Sequence, residues 1–215
     1  QNNTGSANTV QECMRIDFMR TPWWQGVNEE IRDHLEEVSE KLAKHSDVFS
    51  VQDSKYNTVF GELTTAQQAL MGAEVFASLT AERTQHLSEL SGLLRNYLEQ
   101  AEKADPSLAA QARSMIDCVK DRPELVFGEA DLILSPATLT EAPTPETTGD
   151  PLLCRAWTAL GIPCISLPTG FSKNGMPIAI QVAARPGCDD LLLEAAKRIM
   201  NCLGIHEIAT PALNV

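Results

Sequence analysis

The chain has 215 residues and a formal net charge of −12, from 29 acidic and 17 basic side chains. Hydrophobic residues make up 43% of it, which is enough apolar material for the core of a globular domain. The excess of negative charge repels phosphate backbones and anionic lipid surfaces, so we expect neither nucleic acid nor a membrane as a partner. No apolar run reaches the length that spans a bilayer.

The first third of the chain predicts the beginning of an α/β layer. Residues 1–12 are polar and are expected to be a linker or a disordered end. Residues 13–20 alternate apolar and polar side chains, which predicts a strand. From Val27 to Leu42 the apolar residues recur at helical spacing, and residues 48–51 predict a second short strand. A strand, a helix and a strand in this order are typical of α/β folds.

The middle of the chain is predicted to be helical. Residues 64–103 are rich in Leu, Ala and Glu and nearly free of Pro, which indicates one or two helices. Their inner face is expected to be a broken stripe of leucines, namely Leu79, Leu87, Leu90, Leu94 and Leu98. The pair Asp105-Pro106 then begins another helix, because Asp is a good N-cap and Pro suits the first helical position.

The last third returns to alternating strands and helices. Residues 131–135 predict a short apolar strand, and a loop rich in Pro and Thr follows over residues 136–148. A loop of this length suggests a functional segment. A second Asp-Pro pair at Asp150 starts a helix that ends at Gly161.

The chain ends with a predicted hairpin and a helix. Asn174-Gly175 lies between two apolar runs and predicts a tight turn, because both residues tolerate positive φ. We expect residues 165–167 to pair with residues 178–180, and both strands to be buried on both faces. The final helix is predicted over residues 191–203. Its cap is expected to be Asp189 or Asp190, and Gly204 is expected to end it. One sheet should join four of the predicted strands: residues 14–20, 132–135, 164–167 and 177–183.

The stretch from Asp131 to Met200 resembles the amidase signature family. The matching segments are DLILSPAT, TGDPLLCRAWTALGIPCISLPTGFSKNGMPIAIQVA and DDLLLEAAKRI, and MRIDFMRTPWW is similar to the segment that follows that family's catalytic core. The resemblance implies an α/β/α sandwich on a mixed sheet, with residues 13–215 as its C-terminal part. It also implies hydrolysis of a carboxamide C–N bond in a small-molecule amide, without metal or cofactor.

The catalytic residues of that family do not occur in this sequence. Its members use a Ser nucleophile, a second Ser in a cis peptide and a Lys, within a Gly/Ser-rich stretch that precedes the segments matched here. The sequence has no Gly-Gly-Ser-Ser run, so we expect no hydrolysis by the chain alone, because no activated nucleophile is present.

Three hypotheses remain open for the role of the chain. It could be a piece of a full amidase made by truncation or proteolysis, which the missing initial Met favours. It could be a natural split subunit that an N-terminal amidase chain completes, or a non-catalytic module for binding or assembly. In the first two cases the isolated chain is expected to self-associate, because apolar strands would be left without cover.

Two residues are candidates for contacting a substrate. Asp150 is a helix N-cap on local grounds, and by resemblance an acidic residue near this position can hold a substrate amino group. Trp157 could line an acyl pocket, although packing in the core is the usual role of a buried aromatic. Gln181 matches a family Gln and is expected to be a structural hydrogen-bonding group. The segment 170–175 is one residue too long for a nucleophile elbow and joins two strands, so it is interpreted as a hairpin loop.

Metal ligands and disulfides are not expected. The six cysteines have no C-x-x-C pair or zinc spacing, and are interpreted as buried free thiols in a reducing cytoplasm. Glu82, His86 and Glu89 share one helical face, but a solvated charged face explains them better than a metal. The remaining histidines, His34, His45 and His206, lack a carboxylate or thiol partner at ligand spacing.

Overall fold

The fold is built on a five-stranded mixed sheet, which a computed structural model describes together with its helices over residues 13–205. The strands are β1 Met14–Phe18, β2 Phe49–Asp53, β3 Leu132–Pro136, β4 Cys164–Phe171 and β5 Pro177–Ala184, in the spatial order β2-β1-β3-β5-β4. β1 runs parallel to β2 and β3, and β5 runs antiparallel to β3 and β4. The predicted α/β class and the four-strand set are confirmed, while the predicted linker over residues 1–12 lies outside the described residues.

Eight α-helices surround the sheet within residues 13–205. They are α1 Glu29–Lys44, α2 Asn57–Ser78, α3 Thr80–Gln85, α4 Gly92–Lys103, α5 Pro106–Asp121, α6 Glu124–Phe127, α7 Arg155–Leu160 and α8 Asp189–Cys202. Short 3-10 helices occur at Trp24–Gly26, Leu87–Glu89 and Leu152–Cys154. Over the same residues, no helix has both the length and the apolar character needed to cross a membrane.

Two hydrophobic cores lie on opposite faces of the sheet. Successive side chains of a strand point to opposite faces, so Leu134 of β3 joins one core and Ile133 joins the other. The first core is formed with α1 and α8, through residues such as Leu35 and Ile199. The second is formed with α2, α5, α6 and α7, through residues such as Phe60, Ile116 and Trp157. The result is a three-layer α/β/α arrangement.

Local capping signals explain several helix starts. The Asp105 carboxylate accepts a hydrogen bond from the N–H of Ser107 at 2.8 Å, and Pro106 is the first residue of α5, as predicted. The predicted cap of α8 is wrong, because the helix already includes Asp189 and Asp190 in its first turn. In the first turn the two carboxylates lie at the positive end of the helix dipole. They therefore stabilise the helix through their charge and not as caps.

The predicted helices over residues 64–103 are more broken than expected. Helix α2 begins earlier, at Asn57, and the helical region is interrupted at Leu79 and again between α3 and α4. Of the predicted leucine stripe only Leu98 is buried, and Leu87 is 48% exposed. Leucines that lie on separate helices cannot share one helical face. The spacing of the leucines therefore predicted a longer continuous helix than the structure has.

The predicted hairpin between β4 and β5 is confirmed, but its turn differs. The N–H of Gly175 donates to the carbonyl of Ser172 at 2.9 Å, and the N–H of Ser172 donates to the carbonyl of Met176 at 2.8 Å. Gly175 has a φ of 77°, whereas Asn174 does not have positive φ. This is a three-residue loop with a left-handed glycine at its end, not a two-residue turn.

The predicted register of the hairpin is wrong by two residues. Leu167 lies opposite Ile180, but Ile165 lies opposite Val182. The longer loop and an irregularity between Pro168 and Gly170 move the strands relative to each other. A shift of two residues keeps every side chain on its face, which is why the apolar pattern alone could not detect it.

Strand β4 is an edge strand, contrary to the prediction of burial on both faces. Of its eight residues only Leu167 is buried, while Cys164, Ser166 and Phe171 are exposed. By contrast, the last five residues of its neighbour β5 are all buried. Cysteine burial was also overestimated, since Cys13 and Cys164 are exposed and the other four are partly exposed, all six being free thiols.

The hairpin turn can be tested by substitution at its left-handed residue. We expect Gly175→Val to lower the free energy of unfolding by about 1 kcal/mol or more, because a β-branched side chain resists positive φ. The midpoint of urea unfolding measures this effect. Gly175→Asn is the matched control and should lose less, since Asn tolerates the left-handed region. Equal midpoints for the wild type and the Val variant would contradict the left-handed turn.

Candidate functional site

A row of polar side chains crosses the sheet near the carboxyl end of β3. Gln181 of β5 lies opposite Ser135 of β3 on one side and opposite Ser166 of β4 on the other. Residues directly opposite each other in antiparallel strands have their side chains on the same face. Ser135 and Gln181 are buried, and Ser166 is exposed. The row therefore leads from the core to the open edge of the sheet.

Gln181 connects this row to helix α7. Its Oε1 accepts a hydrogen bond from Nε1 of Trp157 at 3.0 Å, and its amide nitrogen lies 3.9 Å from Sγ of Cys154. The Trp157 side chain is buried and packs against the ring of Phe60, with ring centroids 4.8 Å apart. The predicted structural role of Gln181 is confirmed. Trp157 packs in the core, and its role beside an acyl pocket stays a prediction.

Asp150 begins the turn that leads into α7. Its Oδ1 accepts a hydrogen bond from the N–H of Leu152 at 2.9 Å, and Pro151 follows it directly. The predicted helix start at Asp150 is wrong, because the N-cap of the short 3-10 helix is Pro151 and α7 begins only at Arg155, with Cys154 as its N-cap. The side chain is exposed and also lines a cavity of about 90 Å³ within the loop between β3 and α7. The carboxylate thus holds a backbone N–H and also faces a cavity, and its contact with a substrate stays a prediction.

The loop over residues 137–150, called the β3–α7 loop below, is held by α1 and by the hairpin. The Leu139 carbonyl accepts a hydrogen bond from the N–H of Asn28 at 2.7 Å. The side-chain amide of Asn174, in the hairpin loop, donates to the carboxylate of Glu141 at 3.2 Å. The hairpin loop is in turn bound to α1, because the N–H of Lys173 donates to the carboxylate of Glu30 at 2.8 Å. Sequence reasoning missed these contacts, because they join distant segments and no local signal marks them.

The serines of the polar row were also missed from the sequence. Ser135 and Ser166 have no motif of their own, and Ser166 lies within an apolar run. Only the register of the strands places them beside Gln181. A correct prediction of the hairpin register would have found one of them, since Gln181 was already singled out.

The titratable groups of the described residues do not form a catalytic set. His34 is half-buried, burial lowers its pKa, and its Nε2 lies 2.8 Å from Oγ1 of Thr169. His86 contacts Glu89 at 2.8 Å on an exposed helical face, as the solvated-face interpretation expects. Within residues 13–205, no serine hydroxyl is hydrogen-bonded to a histidine or a lysine. His206 lies outside the described residues.

The described residues also hold no group of three or more His, Cys, Asp or Glu side chains arranged to bind a metal ion. The arrangement can therefore offer hydrogen bonds, a carboxylate and an apolar wall to a ligand. It does not supply an activated nucleophile from residues 13–205.

A comparison with family models identifies one match. The model described as Amidase matches residues 6–193, which is most of the chain.

Curated relatives match over part of their length. The fatty acid amide hydrolase of Medicago truncatula is 27% identical over 209 residues, covering 86% of this chain and 32% of that protein. A mitochondrial subunit of the glutamyl-tRNA(Gln) amidotransferase of Mus musculus is 34% identical over 99 residues, covering 41% of this chain and 18% of that protein. The chain thus spans a third or less of the length of these two relatives.

Solved structures share the fold at low sequence identity. A bacterial aryl acylamidase, described as belonging to the amidase signature family, has a TM-score of 0.63 at 17% identity, covering 92% of this chain and 47% of that chain. A structure described as a crystal structure of amidase has a TM-score of 0.71 at 16% identity, covering 86% and 45%. The likeness covers nearly all of this chain and under half of each neighbour.

The hydrogen bond between Trp157 and Gln181 can be tested by a double-mutant cycle. We expect Trp157→Phe to lower the free energy of unfolding by about 1–3 kcal/mol, because it keeps a ring against Phe60 but leaves a buried acceptor unpaired. Gln181→Met removes the acceptor, and the double variant should lose less than the sum of the two single losses. Urea unfolding measures all four proteins. Strictly additive losses would show that the two side chains do not depend on each other.

Proposed function

The chain belongs to the amidase family, and from this we propose that it is the C-terminal portion of an enzyme that hydrolyses a carboxamide C–N bond. In this proposal the sheet and the β3–α7 loop form one wall of the substrate pocket. The Ser nucleophile, the second Ser and the Lys would come from a segment N-terminal to the residues described here. The chain on its own would be inactive, because residues 13–205 supply no activated nucleophile and the sequence lacks the Ser-rich stretch.

The observation that carries the proposal is the open edge at β4. This strand has an apolar sequence but only one buried residue, and the polar row reaches it at the exposed Ser166. An unpaired strand edge presents N–H and C=O groups that favour pairing with another strand. A segment that covers β4 would bury its apolar residues and lie beside the polar row. The pocket would then form between that segment and the β3–α7 loop.

Two residues would have separate roles in the pocket. Asp150 is exposed and lies at the cavity in the β3–α7 loop, so its carboxylate could hold a substrate amino group. Trp157 would stabilise the wall of the pocket from the core side, because its indole donates a hydrogen bond to Gln181 and packs against the ring of Phe60. In this proposal Asp150 contacts the substrate and Trp157 keeps the acyl side of the pocket apolar.

A natural split subunit is the second candidate. The described residues already bury two separate cores, one on each face of the sheet, which favours a unit that can fold before it meets a partner. The partner would then be a separate chain with the Ser-rich stretch, and the chemistry would be unchanged. Co-purification of such a chain from the source distinguishes this candidate from a fragment of one longer polypeptide.

The proposed division of roles predicts the activity of the chain. We expect no turnover of an aryl amide such as p-nitroacetanilide by the isolated chain. Turnover should appear when the Ser-rich segment encoded with it is co-expressed, because that segment supplies the nucleophile. Release of p-nitroaniline measures the reaction. Turnover by the isolated chain, removed by a point substitution within residues 13–205, would refute the proposal.

The role of Asp150 can be tested in the co-expressed enzyme. Asp150→Asn keeps an oxygen that can accept the N–H of Leu152 but removes the charge, so we expect KM for an amide with a free amino group to rise about tenfold, with little change in kcat. Asp105→Asn is the matched control, because Asp105 also precedes a Pro and accepts an N–H two residues on. Equal KM values for both variants would mean that Asp150 only caps the turn.

The open edge predicts self-association of the isolated chain. We expect it to form oligomers at micromolar concentration, because β4 leaves an unpaired edge with apolar side chains. Replacing Phe171, which is 58% exposed on this strand, with Lys should reduce the association. Sedimentation velocity measures both proteins. A monodisperse monomer would favour the non-catalytic module over the incomplete-sheet interpretation.

A further inference from the structure

The hairpin loop carries the one Asn-Gly pair of the sequence, Asn174-Gly175. Both residues are exposed, and nothing lies within 4 Å of the place that a Cβ on Gly175 would occupy. An asparagine side chain reacts with the backbone nitrogen of the next residue most readily when that residue is Gly, because no side chain hinders the approach. This pair is therefore the place in the chain where spontaneous loss of a side-chain amide is most favoured.

The other asparagines of the described residues are placed less favourably for this reaction. Each is followed by a residue with a side chain, and each lies in a helix or at its N-cap: Asn28, Asn57, Asn96 and Asn201. Hydrogen bonds hold the backbone of a helix, so its nitrogen is kept from turning toward the preceding side chain. By contrast, the N–H of Gly175 is held by a turn hydrogen bond to the carbonyl of Ser172 at 2.9 Å. An exposed loop tip opens at little cost in free energy, and opening frees this nitrogen.

Asn174 also joins the hairpin loop to the β3–α7 loop. Its side-chain nitrogen donates to the Glu141 carboxylate, at 3.2 Å from one oxygen and 3.4 Å from the other. Within residues 13–205, no other hydrogen bond joins these two loops. Glu141 and Asp150 line the same cavity of about 90 Å³. The hydrogen bond from Asn174 therefore holds one part of the wall of that cavity in place.

A carboxylate at position 174 would break this connection. An ionised carboxylate has no proton to donate, and two carboxylates at the distance of the present contact repel each other. Glu30 adds a third negative charge nearby, because it accepts the N–H of Lys173 at 2.8 Å. The Lys173 side chain forms no ion pair with these carboxylates within the described part of the chain. The surroundings therefore favour an amide over a carboxylate at this position.

We propose that Asn174 is a site of spontaneous deamidation, and that its conversion to a carboxylate releases the β3–α7 loop from the hairpin. The Gly175 nitrogen bonds to Cγ of Asn174 and closes a succinimide ring, while the side-chain nitrogen leaves as ammonia with the proton of the Gly175 N–H. Water then opens the ring at either carbonyl, which leaves an aspartyl or an isoaspartyl residue. The reaction needs no catalyst and no oxidant, so it is independent of the proposed hydrolase activity.

The release is confined to one part of the loop. The Leu139 carbonyl still accepts the N–H of Asn28 at 2.7 Å, so the first residues of the β3–α7 loop stay on α1. The segment from Glu141 to Asp150 loses its hydrogen bond to the hairpin and gains a repulsion. The wall of the cavity at Asp150 therefore becomes more mobile, while the sheet and the helices keep their contacts.

Deamidation is measured on the full chain by peptide mass spectrometry. The protein is held at neutral pH, below the concentration at which sedimentation detects association, until a synthetic peptide of residues 171–177 has converted completely. We expect a slower but measurable replacement of the amide by a carboxylate at Asn174, and none at the four other described asparagines. Asn174→Gln is the control and should show no change, because it keeps an amide but would have to close a larger ring. An unconverted Asn174 at that time would overturn the proposal.

Release of the loop is measured separately by amide hydrogen exchange. Asn174→Asp gives a uniform sample of one product, and we expect residues 141–150 to exchange about threefold faster or more, as loss of an exposed hydrogen bond predicts. Asn174→Asp combined with Glu141→Gln should restore the wild-type rate, because the new amide can donate to the new carboxylate. Glu141→Gln alone keeps a donor and an acceptor and is the matched control. Exchange in α5 should be the same in all four proteins.

Two results of the exchange experiment would overturn the proposed release. One is an unchanged exchange rate of residues 141–150 in the Asn174→Asp variant. The other is a faster rate that Glu141→Gln does not restore, which would show that the contact between positions 174 and 141 does not hold the loop.

Discussion

The antiparallel pairing of β3 with β5 is the interaction on which the rest of the molecule depends. It places Leu134 beside Val182 on one face of the sheet and Ile133 beside Ala183 on the other, so one set of backbone hydrogen bonds supports both cores. The same pairing sets Gln181 opposite Ser135, and the indole of Trp157 then fixes α7 to the sheet through Gln181. Separating the two strands would expose both cores at once. The polar row and the start of the β3–α7 loop therefore lie on the most constrained part of the structure.

Elements with a strong local signal could be predicted from the sequence. Helix α1 has a regular apolar stripe, α5 has an Asp-Pro start, and the hairpin has an Asn-Gly pair between apolar runs. The breaks around α3 could not be predicted, because tertiary packing decides where a long helical pattern bends. The hydrogen bond between Asn174 and Glu141 could not be predicted either, since it joins two loops whose approach depends on the register of the whole sheet.

Strand β4 shows how a sequence and a structure can disagree for a physical reason. Its apolar residues predict burial on both faces, yet only Leu167 is buried within the described residues. The sequence of a strand suits the surroundings that the strand has in the complete fold. Apolar side chains on an open edge strand favour aggregation, because they are exposed beside unpaired backbone groups. The disagreement is local, since β5 beside it is buried as predicted. Under the proposed function, β4 is the place where the remaining part of the enzyme would pack.

The two Asp-Pro pairs show why local motifs alone do not assign function. Asp105 and Asp150 both accept an N–H from the residue two positions on, so their backbone roles are the same. Each also lies at the rim of a cavity, one among helices and one within a loop. What differs is the surroundings. The cavity at Asp105 is bounded by helix faces that are mostly apolar, whereas Asp150 lies in a polar loop that is hydrogen-bonded to Asn28 at the start of α1 and to Asn174 in the hairpin loop. The same hydrogen-bonding motif therefore occurs in two different surroundings, and the motif alone does not tell which of the two carboxylates contacts a ligand.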